Sequence, residues 1–480
     1  MVVELFTIFS IFIGGSLLVR VGGISNWALP ALGFILGIAF MIILGNVQVI
    51  TKQPTSPVAT LSLTILIPMG LWAWYFRNGI AASFRILPAF LFLSGAAIAV
   101  SILHTSSLLN LTPDSCRYAQ IGSLFESDKI AFAQPYLLLN RMLAVPLMHA
   151  PANLTGNFYL FSITPLLALA TVASLTWFCQ KGLKDKNFNH WISFALPPVA
   201  ALLLVTNQFF VYNAFYVNGH MLYAALLLLI CGSSWLYARN ADVSKNALNL
   251  ILFFSIPALV LTRPEAALHA SLALMPVLAS NKFHLRQRAF LLAALSFSIF
   301  IWNGFLLLKF LFADQSPPLA VTGMLCFGAA LFITVPFLFS SLYDRISGHI
   351  LPLTEIALWT SLLVATMIDP EMFSISVFAT IENIIMGKGL WGYSLIILGF
   401  LFIGVLVLSK SSDQIFLRFP VTTFVPLGLL LAFLRGKPYR IGAIDSLNRM
   451  FLHILPIAIL FIVSSIMVAH WGFRKKNFIQ

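Results

Sequence analysis

The chain has 480 residues, of which 60% are hydrophobic and 9% charged, and its mean hydropathy is +0.96. An ordinary soluble domain carries roughly 25% charged residues, so a water-soluble fold is excluded. The formal net charge of +13 comes from 28 Lys and Arg scattered through short loops with no basic stripe, which argues against nucleic acid as a partner and for membrane topology and anionic lipid.

The first apolar run, VELFTIFSIFIGGSLLV, carries Glu4 and lacks a basic start, the pattern of a retained span and not of a cleaved signal. Apolar runs near the 20 or so residues of a membrane helix then recur near 2–19, 27–50, 57–76, 86–104, 157–179, 191–206, 220–237, 249–261, 266–281, 289–311, 319–340, 351–368, 390–409, 419–434 and 450–470. They predict an all-α polytopic membrane protein with about 13–15 transmembrane helices, since a helix satisfies its own backbone polar groups in lipid. Two further segments, around 130–150 and 372–386, are apolar enough to lie in the interface. The chain divides into N-terminal helices over 1–104, which accommodate an added module, a long extracytoplasmic loop over 105–156, and a remaining core over 157–480 with a second outer loop near 369–389. Three of the four cysteines sit in apolar runs, so they form no disulfide scaffold.

Charge alternation orients this map. With Arg474, Lys475 and Lys476 inside, the loops holding Lys181, Lys184 and Lys186, then Arg239 and Lys245, then Lys282, Arg286 and Arg288 also fall inside. The outer loops take most of the acids, among them Asp114, Glu126, Asp128, Glu265, Asp369, Glu371 and Asp445. Long ordered loops are where function concentrates.

Asp114 follows Pro113 just beyond the fourth span and opens a helix-like run with Tyr118, Ala119, Ile121 and Leu124. A carboxylate at the mouth of an interfacial cavity can accept a proton from a hydroxyl nucleophile. Its plainer role is a helix N-cap, which Asp commonly fills.

The order of membrane exit, Asp114, the Tyr118–Ala119 pair, the segment from Tyr136 to Arg141, and Gly156 opening the next span resembles the first extracytoplasmic loop of GT-C glycosyltransferases. The likeness is to bacterial members related to protein mannosyltransferases and the aminoarabinose transferase of lipid A. LTRPEAALHASLALM, with Arg263, Pro264 and Glu265, is similar to a segment from their middle, and RIGAIDSLNRMFLHILPIAIL, with Arg449, to their terminal pattern. The resemblance covers about 105–290 and 435–470 and rests on the order of the motifs.

It implies a GT-C-like core that transfers a sugar, with inversion, from a polyprenyl-phosphate donor to a glycan, lipid or protein acceptor hydroxyl, on the periplasmic side of a bacterial inner membrane. Asp114 would then be the general base. The leaving phosphate needs a cation, and the planar fork of Arg suits it. Arg263, Arg449, Arg440 and Arg141 are the candidates, with Lys388 and Lys437 behind them. Interfacial snorkelling is the plainer account of each.

Three further spans precede the acidic loop here, a departure from the GT-C pattern, and VYNAFYVNGHML offers Asn218 and His220 where many members carry a second acid. Candidate second acids are Glu126, Asp128, Glu265, Asp369 and Glu371, and candidate sugar or acceptor contacts are Tyr118, Asn218 and His220. The histidines show no metal-ligand spacing, so no metal site is assigned and a divalent cation is left open as cofactor. A polymerase or ligase of O-antigen type, a lipid or sugar flippase or transporter, and a non-catalytic scaffold are the alternatives.

Overall fold

Apolar runs of this length have no water to bond in lipid and close their backbone hydrogen bonds as helix. The computed structural model describes every residue except 25–27, 77–85, 107–108, 128, 131–132, 141, 183–189, 409–411 and 478–480. Among the described residues there are twenty-one α-helices, no strand, and one isolated bridge between Asn110 and Tyr216.

Four helices precede the first long loop: α1 (Val2–Val21), α2 (Leu29–Ile50), α3 (Pro57–Phe76) and α4 (Ile86–Ser106). The loop folds as α5 (Pro113–Glu126), the short α6 (Pro135–Asn140) and α7 (Ala144–His149), and a 3-10 turn at Ala150–Thr155. Then come α8 (Ile163–Gly182), α9 (His190–Val205), α10 (Gln208–Ala214), α11 (His220–Ala238), α12 (Lys245–Val260), α13 (Ala266–Ala279) and α14 (Leu285–Phe312). The last third comprises α15 (Leu319–Phe337), α16 (Ser341–Ile346), α17 (Ile350–Ile368), α18 (Pro370–Ile384), α19 (Ser394–Leu408), α20 (Ile415–Arg435) and α21 (Ser446–Asn477).

Each of the fifteen apolar runs falls on a helix, and the chain is an all-α polytopic membrane protein. Among the described residues ten helical stretches are long and apolar enough to cross a bilayer alone, and α9 with α10 makes an eleventh, bent by 71°. The helices Lys245–Val260 and Ala266–Ala279 and the stretch Ser394–Val407 are apolar but shorter; at about 1.5 Å per residue each falls short of a bilayer core of about 30 Å.

The centre of the bundle is α11, all of whose residues are buried. It packs against α8, α12, α20 and α21. Close approach is built in: a side chain at Gly232 would strike the Phe178 ring, and one at Gly182 the Trp235 ring. The tightest helix pair is α1 with α2. A Cβ on Gly15 would lie 1.8 Å from the Gly33 carbonyl oxygen, and one on Gly37 would lie 1.9 Å from that of Ile11. This is small-residue packing, with the Gly33-xxx-Gly37 spacing that lets membrane helices touch along their backbones. By contrast, α15 and α17 keep apolar side chains such as Ile333, Leu353, Trp359 and Met367 exposed, the surface that lipid covers.

Hydrogen bonds between loops sort the loops into two ends, in agreement with the alternation of the fifteen runs. At one end Glu4 accepts from Ser162, Asn110 N–H donates to Phe215 O, and Asn383 bonds the backbone of Arg440 and Gly442. At the other, Lys181 donates to Asp242 O, and Arg288 to the carbonyls of Leu278 and Phe283.

Candidate functional site

The helix that carries Asp114 is fixed by its start. Thr112 is the N-cap residue, its backbone N–H donating to Ser115 Oγ at 3.2 Å, and Pro113 occupies the first helical turn. Proline is favoured there because its missing N–H costs nothing. Asp114 is therefore not the cap, which corrects the plainer expectation. It lies inside the first turn, where the helix dipole favours a carboxylate. Ser115 Oγ donates to Val217 O at 3.1 Å, and the Asn110–Tyr216 bridge pins the same stretch to the segment after α10. The bend after α9, capped by Asn207 accepting from Phe210 N at 2.9 Å, brings that segment across.

Arg449, in the first turn of α21, points at this stretch. Its Nη1 donates to Tyr216 Oη at 2.8 Å and lies 3.6 Å from Asp114 Oδ2. Tyr216 Oη is also 3.0 Å from Thr112 Oγ1. The turn that starts α21 is held by Asp445, whose two carboxylate oxygens accept from Arg440 N at 2.9 Å and Asn448 N at 3.1 Å. Asn448 in turn accepts from Trp391 Nε1 at 2.6 Å and donates to Gly389 O at 3.0 Å.

Arg263 enters from the turn between α12 and α13. Its Nε donates to Glu265 Oε1 at 2.6 Å, and its Nη1 lies 3.2 Å from His220 Nε2 and 3.5 Å from Asn218 Oδ1. Burial opposes ionisation of the Glu265 carboxyl, but the adjacent Arg263 guanidinium overcomes this and holds it below its ordinary value. Since Arg only donates, His220 Nε2 is the acceptor and the His220 proton sits on Nδ1, which donates to His453 Nε2 at 2.8 Å. Beyond His453, stacked on it at 3.7 Å between centroids, lies Tyr223, hydrogen-bonded to His269. His453 Nδ1, His269 Nε2 and Asn218 Nδ2 are buried with no hydrogen-bond partner among the described residues.

These elements enclose a cavity of about 340 Å³. Asp114, Tyr118, Met142, Thr262, Arg263 and Arg449 line it, together with Arg435 from the end of α20 and Lys437, Arg440 and Asp445 from the α20–α21 connection. Three helices, α5, α13 and α21, begin at this cavity. Helix starts carry partial positive charge and unpaired N–H groups, so they reinforce the cations as an anion site.

The structure thus brings together Asp114, Tyr118, Arg263, Arg449, Arg440 and Lys437, which come from three separate stretches of sequence. It separates others. Glu371 is exposed on α18 and Asp369 caps that helix by accepting from Met372 N at 2.9 Å; neither lines the cavity. Glu265 is committed to Arg263, and Lys388 to Glu382 at 2.6 Å. Asn218 and His220 are not open sugar contacts, because both are buried behind Arg263. Arg141 and Asp128 lie outside the described residues, as does the side chain of Glu126. Among the described residues no group of three or more His, Cys, Asp or Glu is placed to hold a metal ion. The sequence reading missed Arg435, Tyr216, Asp445 as a lining acid, and His453. The one available signal was Asp445 three residues before Asn448, a cap spacing.

Compared with protein families, curated proteins and solved structures, the chain matches none of them.

Proposed function

We propose that this protein is a glycosyltransferase that moves a sugar from a polyprenyl-phosphate-type lipid to an acceptor hydroxyl on the extracytoplasmic face, with inversion. The observation that carries this reading is the placement of the Asp114 carboxylate in one cavity with the guanidinium groups of Arg263 and Arg449. A base and phosphate-binding cations are the two parts such a transfer needs.

In this reading the acceptor oxygen attacks the anomeric carbon and a new C–O bond forms. The bond from that carbon to the lipid phosphate oxygen breaks, and the phosphate keeps the electron pair. The acceptor proton goes to the Asp114 carboxylate. Arg263 and Arg449 neutralise the charge that develops on the leaving oxygen, and both are preorganised by partners named above, so little reorganisation is needed during the step. Placement of this end outside draws on the Lys- and Arg-rich loops of the opposite end.

The test is Asp114→Asn. Loss of a positioned general base costs typically 10²- to 10⁴-fold, so transfer of label from membrane lipid to acceptor should fall by about that factor with insertion and melting unchanged. Wild-type transfer in the variant removes Asp114 from the mechanism.

A flippase is the second reading, and the buried His220, His453 and His269 favour it, because ionisable side chains inside a helical bundle mark proton pathways. Liposomes in which the purified protein moves a lipid-linked sugar across the bilayer, with its covalent structure intact, would select that reading over transfer.

A further inference from the structure

The cavity has two tiers of charge. In the more buried tier Arg449 stands against Asp114 and Arg263 against Glu265, each cation with a carboxylate partner. The outer tier is different. Arg435, Lys437 and Arg440 line the cavity with exposed side chains and so form its mouth, and among the described residues none of the three has a carboxylate at ion-pair distance. Among the described lining residues the acid beside them, Asp445, spends both oxygens on the backbone N–H groups of Arg440 and Asn448. Among the described residues, five cations against three carboxylates leave an excess of two positive charges around the cavity.

The outer tier is also a held structure. The connection from Gly436 to Asp445 is gripped by α18, whose buried Ser376 and Asn383 bond it. Ser376 Oγ accepts from Tyr439 N at 3.2 Å; Asn383 donates to Arg440 O at 2.9 Å and accepts from Gly442 N at 2.6 Å. Arg435 is fixed through Ser446 Oγ at 2.5 Å. Three cations gathered at one mouth, Arg435 at the end of α20 and Lys437 and Arg440 on the braced connection, repel one another, and a ligand with matching negative charge relieves that repulsion.

A sugar on a lipid monophosphate carries one negative charge, which the deeper arginines suffice to hold. A sugar on a lipid diphosphate carries two, one for each phosphoryl group. Resting on the reading above, we propose that the lipid bound here is a diphosphate, its sugar-side phosphate at Arg263 and Arg449 and its lipid-side phosphate at Arg435, Lys437 and Arg440. The group that leaves when the anomeric C–O bond breaks is then the lipid diphosphate, which takes the electron pair, while the acceptor proton passes to Asp114 as before.

The experiment titrates the full-length protein in detergent with farnesyl phosphate, farnesyl diphosphate and inorganic diphosphate, following heat or intrinsic fluorescence. The expected result is about tenfold tighter binding of farnesyl diphosphate than of farnesyl phosphate, the scale of one further charge-assisted phosphate contact, with inorganic diphosphate weaker than the farnesylated form. In the combined Arg435→Gln, Lys437→Gln, Arg440→Gln variant that ratio should fall to about one, and Arg440→Gln alone, at an exposed side chain, should lower it part of the way. Equal affinity of wild type for the two farnesyl lipids, or a preference that survives the triple change, overturns the diphosphate assignment and leaves the transferase reading standing. Inorganic diphosphate binding as tightly as farnesyl diphosphate overturns it as a lipid site. No binding of either farnesyl lipid overturns both.

Discussion

Arg449 donates to the hydroxyl of Tyr216 at 2.8 Å although 233 residues separate them in the chain. The same hydroxyl lies 3.0 Å from the Thr112 side chain at the start of α5. One phenolic oxygen therefore sets the spacing between the helix that offers the carboxylate and the helix that offers the cation.

Tyr216→Phe keeps the ring and removes that oxygen. A hydrogen bond to a charged group contributes about 1.5–3 kcal/mol, so farnesyl phosphate affinity should drop about tenfold or more, with α5 and α21 still folded. Titration beside a melting curve checks it, and unchanged affinity would show that Arg449 is oriented by other contacts.

His220 has two jobs, accepting from Arg263 at Nε2 and donating to His453 from Nδ1. Gln places its amide oxygen near the Nε2 position, and Asn places its amide near Nδ1. His220→Gln should hold phosphate affinity within about threefold, whereas His220→Asn, which takes one acceptor from Arg263, should lose about tenfold, the scale of one charge-assisted hydrogen bond. If both changes weaken binding alike, His220 acts only as packing. Histidine ¹⁵N shifts of the wild type give an independent check, since they should show His220 protonated at Nδ1 and bare at Nε2.

Burial lowers the His149 imidazole from the usual 6.5 to about 3, and its Nδ1 accepts from Leu160 N at 3.2 Å. Between those two pKa values the unfolded chain binds a proton that the folded chain refuses, so stability from this group is complete above the unfolded value and falls as the pH drops below it. Melting temperature should decline from about pH 6.5 downward. His149→Asn keeps an acceptor without the titration and should flatten the slope; an equal slope in the variant would place the acid sensitivity elsewhere.

Gly37→Leu puts a side chain where the Ile11 carbonyl oxygen stands, 1.9 Å from even its Cβ. Backbone cannot yield as a flexible side chain would, so α1 must part from α2. The expected outcome is low yield of folded protein and a markedly lower melting temperature, whereas Gly70→Leu, with nothing within 4 Å, should be tolerated. Equal stability of the two variants would remove close glycine packing as the reason α1 and α2 stay together.

The sequence alone determined the class and the map of spans. Hydrophobic length and helical self-satisfaction are local properties, legible within any window of about 20 residues, and each apolar run became a helix. The alternation of spans then divided the loops into the same two ends that the hydrogen bonds between loops define, because parity needs only a count. Asp114, Arg263 and Arg449 were visible as ionisable groups next to span ends. What each of them faces was not visible. That His220 lies behind Arg263 and not open to a substrate, that α18 braces the cationic connection, and that Arg449 meets Tyr216 all depend on contacts spanning from 43 to more than 200 residues. Such contacts are set by which helices pack around α11 and by the bend after α9, and the packing of apolar helices in lipid turns on backbone approach and small-residue fit, which hydropathy does not encode. The local chemistry was written in the chain, and the tertiary fold decided which pieces of it share a cavity.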